Sequence, residues 1–174
     1  YMRFGGVARD LPDTLRDEDT VDFITDLVVN RLPAAIDELD RLLTNNEIVR
    51  SRCIGVGVLS SEKAIAYSVA GPLLRASGVP YDLRRSDPYS IYDRLDFEVC
   101  TRPNGDVYDR YVIRIDEMRN SVKICQQVMR EMPPEGEVFA GKPQYNVRVP
   151  AGESYGRVEN PKGELGYYLV STGK

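Results

Sequence analysis

Apolar residues recur at spacings of three and four over three stretches of the chain, the pattern of amphipathic helices. In the first, over about 18–45, Val21, Ile24, Val28, Leu32, Ala35, Ile36, Leu39, Leu42 and Leu43 share one side. Asp22, Asp26, Arg31, Asp37, Asp40 and Arg41 lie opposite, on a solvated or partner-facing side. Asp13 or Asp17 precedes the run as a cap, Pro33 within it predicts a kink, and Asn45-Asn46 marks its end. A second helix is predicted over about 60–77. Ser60 or Ser61 serves as N-cap, and Glu62 sits in the first turn, where the helix dipole favours a carboxylate. Ala64, Ile65, Val69, Leu73 and Leu74 form its apolar face, Pro72 makes its last turn irregular, and Gly78 ends it. The third helix, over about 106–132, carries Tyr108, Tyr111, Val112, Ile115, Met118, Val122, Cys125, Val128, Met129 and Met132 among charged residues. Pro133-Pro134 ends it.

Between the second and third helices, residues 80–101 sustain no period and are expected to form an ordered loop with one short helical turn. Residues 133–150 are rich in Pro, Gly and charge and predict a connector. Further on, 154–159 and 165–170 flank Asn160-Pro161-Lys162-Gly163, a strand–turn–strand pattern. A lone hairpin is marginal in water, so this one must pack on other parts of the protein. The expected fold class is α+β and mostly α, a long-helix bundle with a small C-terminal β-hairpin. A helical body (1–132), the connector (133–150) and the hairpin (151–174) all belong to one larger domain.

Composition narrows the chemistry. The 174 residues carry 23 Lys and Arg against 27 Asp and Glu, a net charge of −4 that argues against a nucleic-acid surface. The longest stretch without a charge, Ala64–Leu74, is far short of the roughly 20 apolar residues that span a bilayer. The opening Tyr1-Met2-Arg3-Phe4, with no initiator Met, reads as the start of an excised piece of a longer polypeptide. There is no histidine, which removes the commonest general base near neutral pH and the commonest metal ligand. Cys53, Cys100 and Cys125 are widely separated, so a metal site built by this segment alone is not expected, and the thiols are expected to be reduced and mostly buried. Gly55-Val56-Gly57 resembles a dinucleotide loop only superficially: Ser60 stands where the third glycine should be, and a tight turn before a helix explains both glycines.

Seven blocks then occur in a recognisable order. They are Arg3-Phe4-Gly5-Gly6-Val7-Ala8-Arg9-Asp10-Leu11-Pro12; Gly55-Val56-Gly57-Val58-Leu59-Ser60; Gly71-Pro72-Leu73-Leu74-Arg75-Ala76-Ser77-Gly78-Val79; Tyr81-Asp82-Leu83-Arg84-Arg85; Pro88-Tyr89-Ser90-Ile91-Tyr92-Asp93; Tyr108-Asp109-Arg110-Tyr111; and Pro161-Lys162-Gly163-Glu164-Leu165-Gly166. Together they resemble an internal portion of the D-subunit family of proton-pumping NADH–quinone oxidoreductase, respiratory complex I. That family is homologous to the large subunit of nickel–iron hydrogenases, so the resemblance implies a fragment of a larger hydrogenase-large-subunit-like fold.

The resemblance also implies a job. Such a subunit, with an adjacent iron–sulfur subunit, encloses the cavity where quinone is reduced by electrons from NADH, delivered through FMN and iron–sulfur clusters of partner subunits and coupled to proton translocation. It implies a peripheral subunit on the cytoplasmic side of the cell membrane. The His and Tyr used around the headgroup come from earlier in the full chain, so this segment is expected to hold no catalytic residue, cofactor or metal, and to be inactive alone. Quinone- or cluster-proximal candidates are Arg3, Gly5, Gly6, Lys162 and Glu164. Arg3 with Gly5-Gly6 forms either a tight loop near that region or a turn whose Arg pairs with Asp10 or another carboxylate. Lys162-Gly163-Glu164 is either a charged tip facing a partner or cluster approach, or an ordinary solvated turn. Arg75, Arg84 and Arg85 with Tyr89 and Tyr92 are best accounted for by internal ion pairs with Asp82, Asp87, Asp93 and Asp96. Asp116 and Glu117 are candidates for buried carboxylates able to move protons. A structural module that only binds neighbouring subunits, or a nickel–iron hydrogenase large subunit, are the alternatives.

Overall fold

The computed structural model describes residues 2–3, 6–7, 17–133 and 148–173. The first helical run, α1, is continuous over 18–44. Its α-helical stretches Glu18–Asp26 and Leu32–Leu39 alternate with the π-helical turns Leu27–Arg31 and Asp40–Thr44. Asp17 caps it, its carboxylate accepting from the Thr20 N–H. The distortion expected at Pro33 takes the form of the π turn just before it. Proline offers no N–H, and its ring crowds the carbonyl one turn back. A wider turn, closed by the Leu32 N–H on the Leu27 carbonyl, accommodates both.

Asn46 does more than stop α1. Its side chain caps α2 (Glu47–Cys53), a helix that the sequence pattern did not predict. The single helix expected over 60–77 is two, α3 (Ser61–Ala66) and α4 (Gly71–Ala76). Ser68 and Gly71 break it with positive φ of 53° and 67°. Pro72, expected to disturb a last turn, instead opens α4, where its fixed φ suits a first turn and no donor is missed. The short α5 (Leu83–Ser86) is capped by Asp82, and α6 (Val107–Glu131) by Asp106.

Antiparallel strands β1 (Met2–Arg3) and β2 (Gly6–Val7) pair Met2 with Val7 and Arg3 with Gly6. The C-terminal hairpin joins β3 (Gly152–Asn160) to β4 (Gly163–Ser171), in register from Gly152↔Ser171 to Asn160↔Gly163. Most of the connector, 134–147, lies outside the described residues.

Helix α6 organises the rest. It runs antiparallel to α1: Gln126 donates to the Val28 carbonyl near one end, and the Tyr108 hydroxyl donates to the Thr44 carbonyl near the other. Val28 and Ile36 of α1 and Ile113, Ile115 and Ile124 of α6 are buried. Leu95 and Phe97 from the preceding loop pack on Ile124. The thiols depart from expectation: Cys53 and Cys100 are half-buried and Cys125 is exposed, all free. Cys125 follows buried Ile124, and one residue along a helix turns the side chain about 100° away from the core.

Candidate functional site

Between Lys63 and Asp82 the chain carries one charge, Arg75, and α4 buries it. Only 2% of Arg75 is exposed. A buried guanidinium demands partners from elsewhere, and it finds them on three other elements. Its Nε donates to Glu117 of α6 at 2.7 Å, and its Nη1 donates to Glu159 of β3 at 3.1 Å and to the Tyr81 carbonyl at 2.9 Å. Asp82, the cap of α5, lies 3.7 Å from the same nitrogen. Burial works against the charged guanidinium, but these carboxylates outweigh it and hold its pKa above the ordinary value. Asp82 is shared with Arg84, whose Nε and Nη2 donate at 3.0 and 2.6 Å in a bidentate fork. Burial alone would raise the Asp82 pKa, but the Arg84 hydrogen bonds and charge, with Arg75 behind them, hold it below the usual carboxylate value. Arg84 and Arg85 also lie over the Phe97 ring, at 4.8 and 4.0 Å.

This cluster anchors the hairpin. Glu159 and Glu164 face one another across the strands, flanking the tip. Glu159 also accepts from the Leu83 N–H at 3.2 Å. Glu164 accepts from the hydroxyls of Tyr81 and Tyr155, both at 2.9 Å. Burial and that hydrogen bond push the Tyr81 phenol above its ordinary pKa. The tip itself presses backbone to backbone on the start of α4. A Cβ on Gly71 would come 2.4 Å from the Gly163 Cα, and one on Gly163 2.7 Å from the Ala70 carbonyl carbon, so only glycine fits at either place. Over the cluster opens a cleft of about 520 Å³, with Lys162 and Pro161 of the tip on one side and Arg114, Met118 and Ser121 of α6 on the other.

Of the residues singled out in the sequence, Lys162 lines this cleft and Glu164 anchors its wall. Arg3 and Gly6 pair across β1 and β2; their side chains, and Gly5 altogether, lie outside what is described, as does the pairing of Arg3 with Asp10. The ion-pair account of the basic–aromatic segment is right for Arg84 with Asp82. It holds in part for Arg75, which lies 3.7 Å from Asp82 but makes its shorter pairs with Glu117 and Glu159, 42 and 84 residues away; Arg85 stacks instead. Glu117 is thus tied to Arg75, while Asp116 pairs with Arg102. The missed signal was available. A lone arginine in an otherwise uncharged stretch predicts burial and hence carboxylate partners, although not which ones.

A family model described as "Respiratory-chain NADH dehydrogenase, 49 Kd subunit" matches residues 1–148 and 142–174. This chain belongs to that family. It is 52% identical over 175 residues to the D subunit of NADH-quinone oxidoreductase from Dehalococcoides mccartyi, covering 99% of this chain and 45% of the relative. It is 50% identical to a D subunit of NADH-quinone oxidoreductase from a Roseiflexus species, covering 99% and 46%. The D subunit of F(420)H(2) dehydrogenase from Methanosarcina mazei is 43% identical, with 99% and 46% covered. Among solved structures, a chain of the membrane-bound sulfane sulfur reductase, an archaeal respiratory membrane complex, superposes with a TM-score of 0.82 at 35% identity. That match covers 90% of this chain and 43% of the other.

This member of the 49 kDa-subunit family therefore spans about half the length of the curated relatives it matches, and its helices and hairpin are part of a larger fold. The Arg75 cluster joins two neighbouring family blocks to the distant hairpin: Gly71–Val79 supplies Arg75, and Tyr81–Arg85 supplies Asp82 and Arg84. Glu159 lies just ahead of the block beginning at Pro161. Among the described residues no three His, Cys, Asp or Glu side chains gather to hold a metal ion, and no helix is long and apolar enough to cross a membrane.

Proposed function

We propose that this chain is part of the quinone-site subunit of an NADH–quinone oxidoreductase, a respiratory complex of many subunits. In this reading the partner subunits' flavin and iron–sulfur clusters supply electron transfer from NADH to quinone, coupled to proton translocation in the membrane subunits. The segment itself binds no cofactor or metal. It holds the charged tip at Lys162 rigidly, through Arg75, Glu159 and the glycine contact, on the face toward the adjacent iron–sulfur subunit. Arg3 and Gly6, paired across β1 and β2, lie near the same region in this reading. The whole subunit sits at the cytoplasmic side of the membrane through its partners. The observation that carries this reading is identity of 50–52% across 99% of the chain with proteins named as D subunits of NADH-quinone oxidoreductase.

A second reading differs in the electron donor. Relatives named for F(420)H(2) and a neighbour named for sulfane sulfur show that similar chains serve complexes of other names. One experiment separates the two. Native complexes from source membranes are resolved on a non-denaturing gel, stained for NADH-dependent dye reduction, and each band is digested with trypsin. The peptide 76–84 in a heavy NADH-active band supports the first reading. In a heavy band active only with another donor it supports the second, and in a hydrogen-oxidising band it points to the hydrogenase branch. Its presence only in a small inactive species leaves a structural module.

A further inference from the structure

The floor of the 520 Å³ cleft is satisfied: Arg75, Glu117 and Glu159 pair with one another, Arg84 pairs with Asp82, and no buried side-chain polar atom among the described residues lacks a partner. The rim is different. Arg114 and Lys162 are both exposed and face the cleft from opposite walls. Among the described residues Arg114 donates only to the Arg110 carbonyl of its own helix. Neither cation makes an ion pair among the described residues. With Asp82 counted behind Arg84, four cations face three carboxylates, and the positive excess sits at the rim, on Arg114 and Lys162. Met118, 36% exposed, beside Arg114 and Pro161 beside Lys162 add an apolar patch to each wall.

We infer that this cleft receives an Asp or Glu side chain from a neighbouring subunit, its carboxylate held between the Arg114 guanidinium and the Lys162 ammonium. Its methylene stem lies on Met118 and Pro161. The charge balance selects an anion, and the guanidinium selects one with two oxygens in a plane. The occupant is a protein segment because the hairpin that carries Lys162 also leaves Tyr168 and Val170, on one face of β4, more than half exposed, apolar surface that marks contact with other protein. Because the floor is locked by its own ion pairs, the cleft is open before the partner arrives, and docking costs little reordering.

This inference rests on the reading of the chain as a subunit of a larger complex, but not on the electron donor. The test uses the intact complex. A water-soluble carbodiimide activates a carboxylate, and an amine in contact with it displaces the activating urea to form an amide, so only touching pairs are joined. Mass spectrometry after digestion is expected to find Lys162 joined to an Asp or Glu of a different subunit. Lys162→Arg should abolish that cross-link while the complex stays assembled. The charge reversal Arg114→Glu with Lys162→Glu should lower the salt concentration that releases the subunit at least threefold. Lys162 joined to a carboxylate of its own subunit, or uncross-linked yet freely acetylated, overturns the proposal. The cross-link is read in whichever assembly holds the chain, so it can fail while the NADH assignment stands.

Discussion

Among the described residues Arg75 carries more of this structure than any other side chain, because removing it leaves Glu117 and Glu159 without a cation at once, while Asp82 keeps Arg84. Truncating one partner of a buried ion pair costs about 3–5 kcal/mol, since the charge left behind has lost both water and its counter-ion. Arg75→Met should therefore destabilise the chain by about that much in urea unfolding. Arg75→Lys should lose less, because an ammonium keeps the charge but cannot fork between Glu117 and Glu159. Asp82 sets a pH signature. Its folded pKa is depressed, so its contribution is fully present above the unfolded carboxylate value of about 4 and is lost as pH falls through the lower folded value. Urea stability should fall on acidification below about pH 4, and Asp82→Asn should flatten that part of the profile.

At the scale of elements, the hairpin shows how a marginal unit is made firm. Two strands alone are barely stable in water, and here both flanks of the turn are tied to the helical body through Glu159 and Glu164. The tip is seated by Gly163 on the start of α4. Gly163→Ala places a methyl 2.7 Å from the Ala70 carbonyl carbon and must lift the tip. Amide exchange across β3 and β4 should then accelerate at least tenfold, about 1.4 kcal/mol in local opening, while the centre of α6 keeps its protection. Unchanged exchange in the hairpin would show that the contact does not hold it. The break between α3 and α4 has a related cause. A proline near the end of one apolar period is equally the first turn of the next, and the positive φ at Ser68 and Gly71 decides for two helices.

The molecule as a whole leaves apolar groups outside. Ile48, Val58, Ile65 and Tyr67 are each at least 60% exposed, and the hairpin adds Tyr167 and Tyr168 at 64% and 63%. Surface of this kind marks contact with other protein. Light scattering on the isolated chain should show self-association that grows with concentration, and a monodisperse monomer over a wide range would count against it. The same exposure fits a chain that spans under half the length of its relatives and belongs to a subunit family.

Local spacing by itself determined the long helices α1 and α6 and the hairpin with its turn, and narrowed two caps to Asp13 or Asp17 and to Ser60 or Ser61, because each depends on residues a few positions apart; the structure chose Asp17 and Ser60. The order of motif blocks was equally legible, since it needs no geometry. Tertiary structure alone decided that Arg75, Glu117 and Glu159 meet, and that Gly71 and Gly163 touch. Those partners lie 42 to 92 residues apart. Nothing local in a sequence records which distant carboxylate answers a buried charge. The need for one is written in the lone arginine, and the choice is made when α4, α6 and β3 pack.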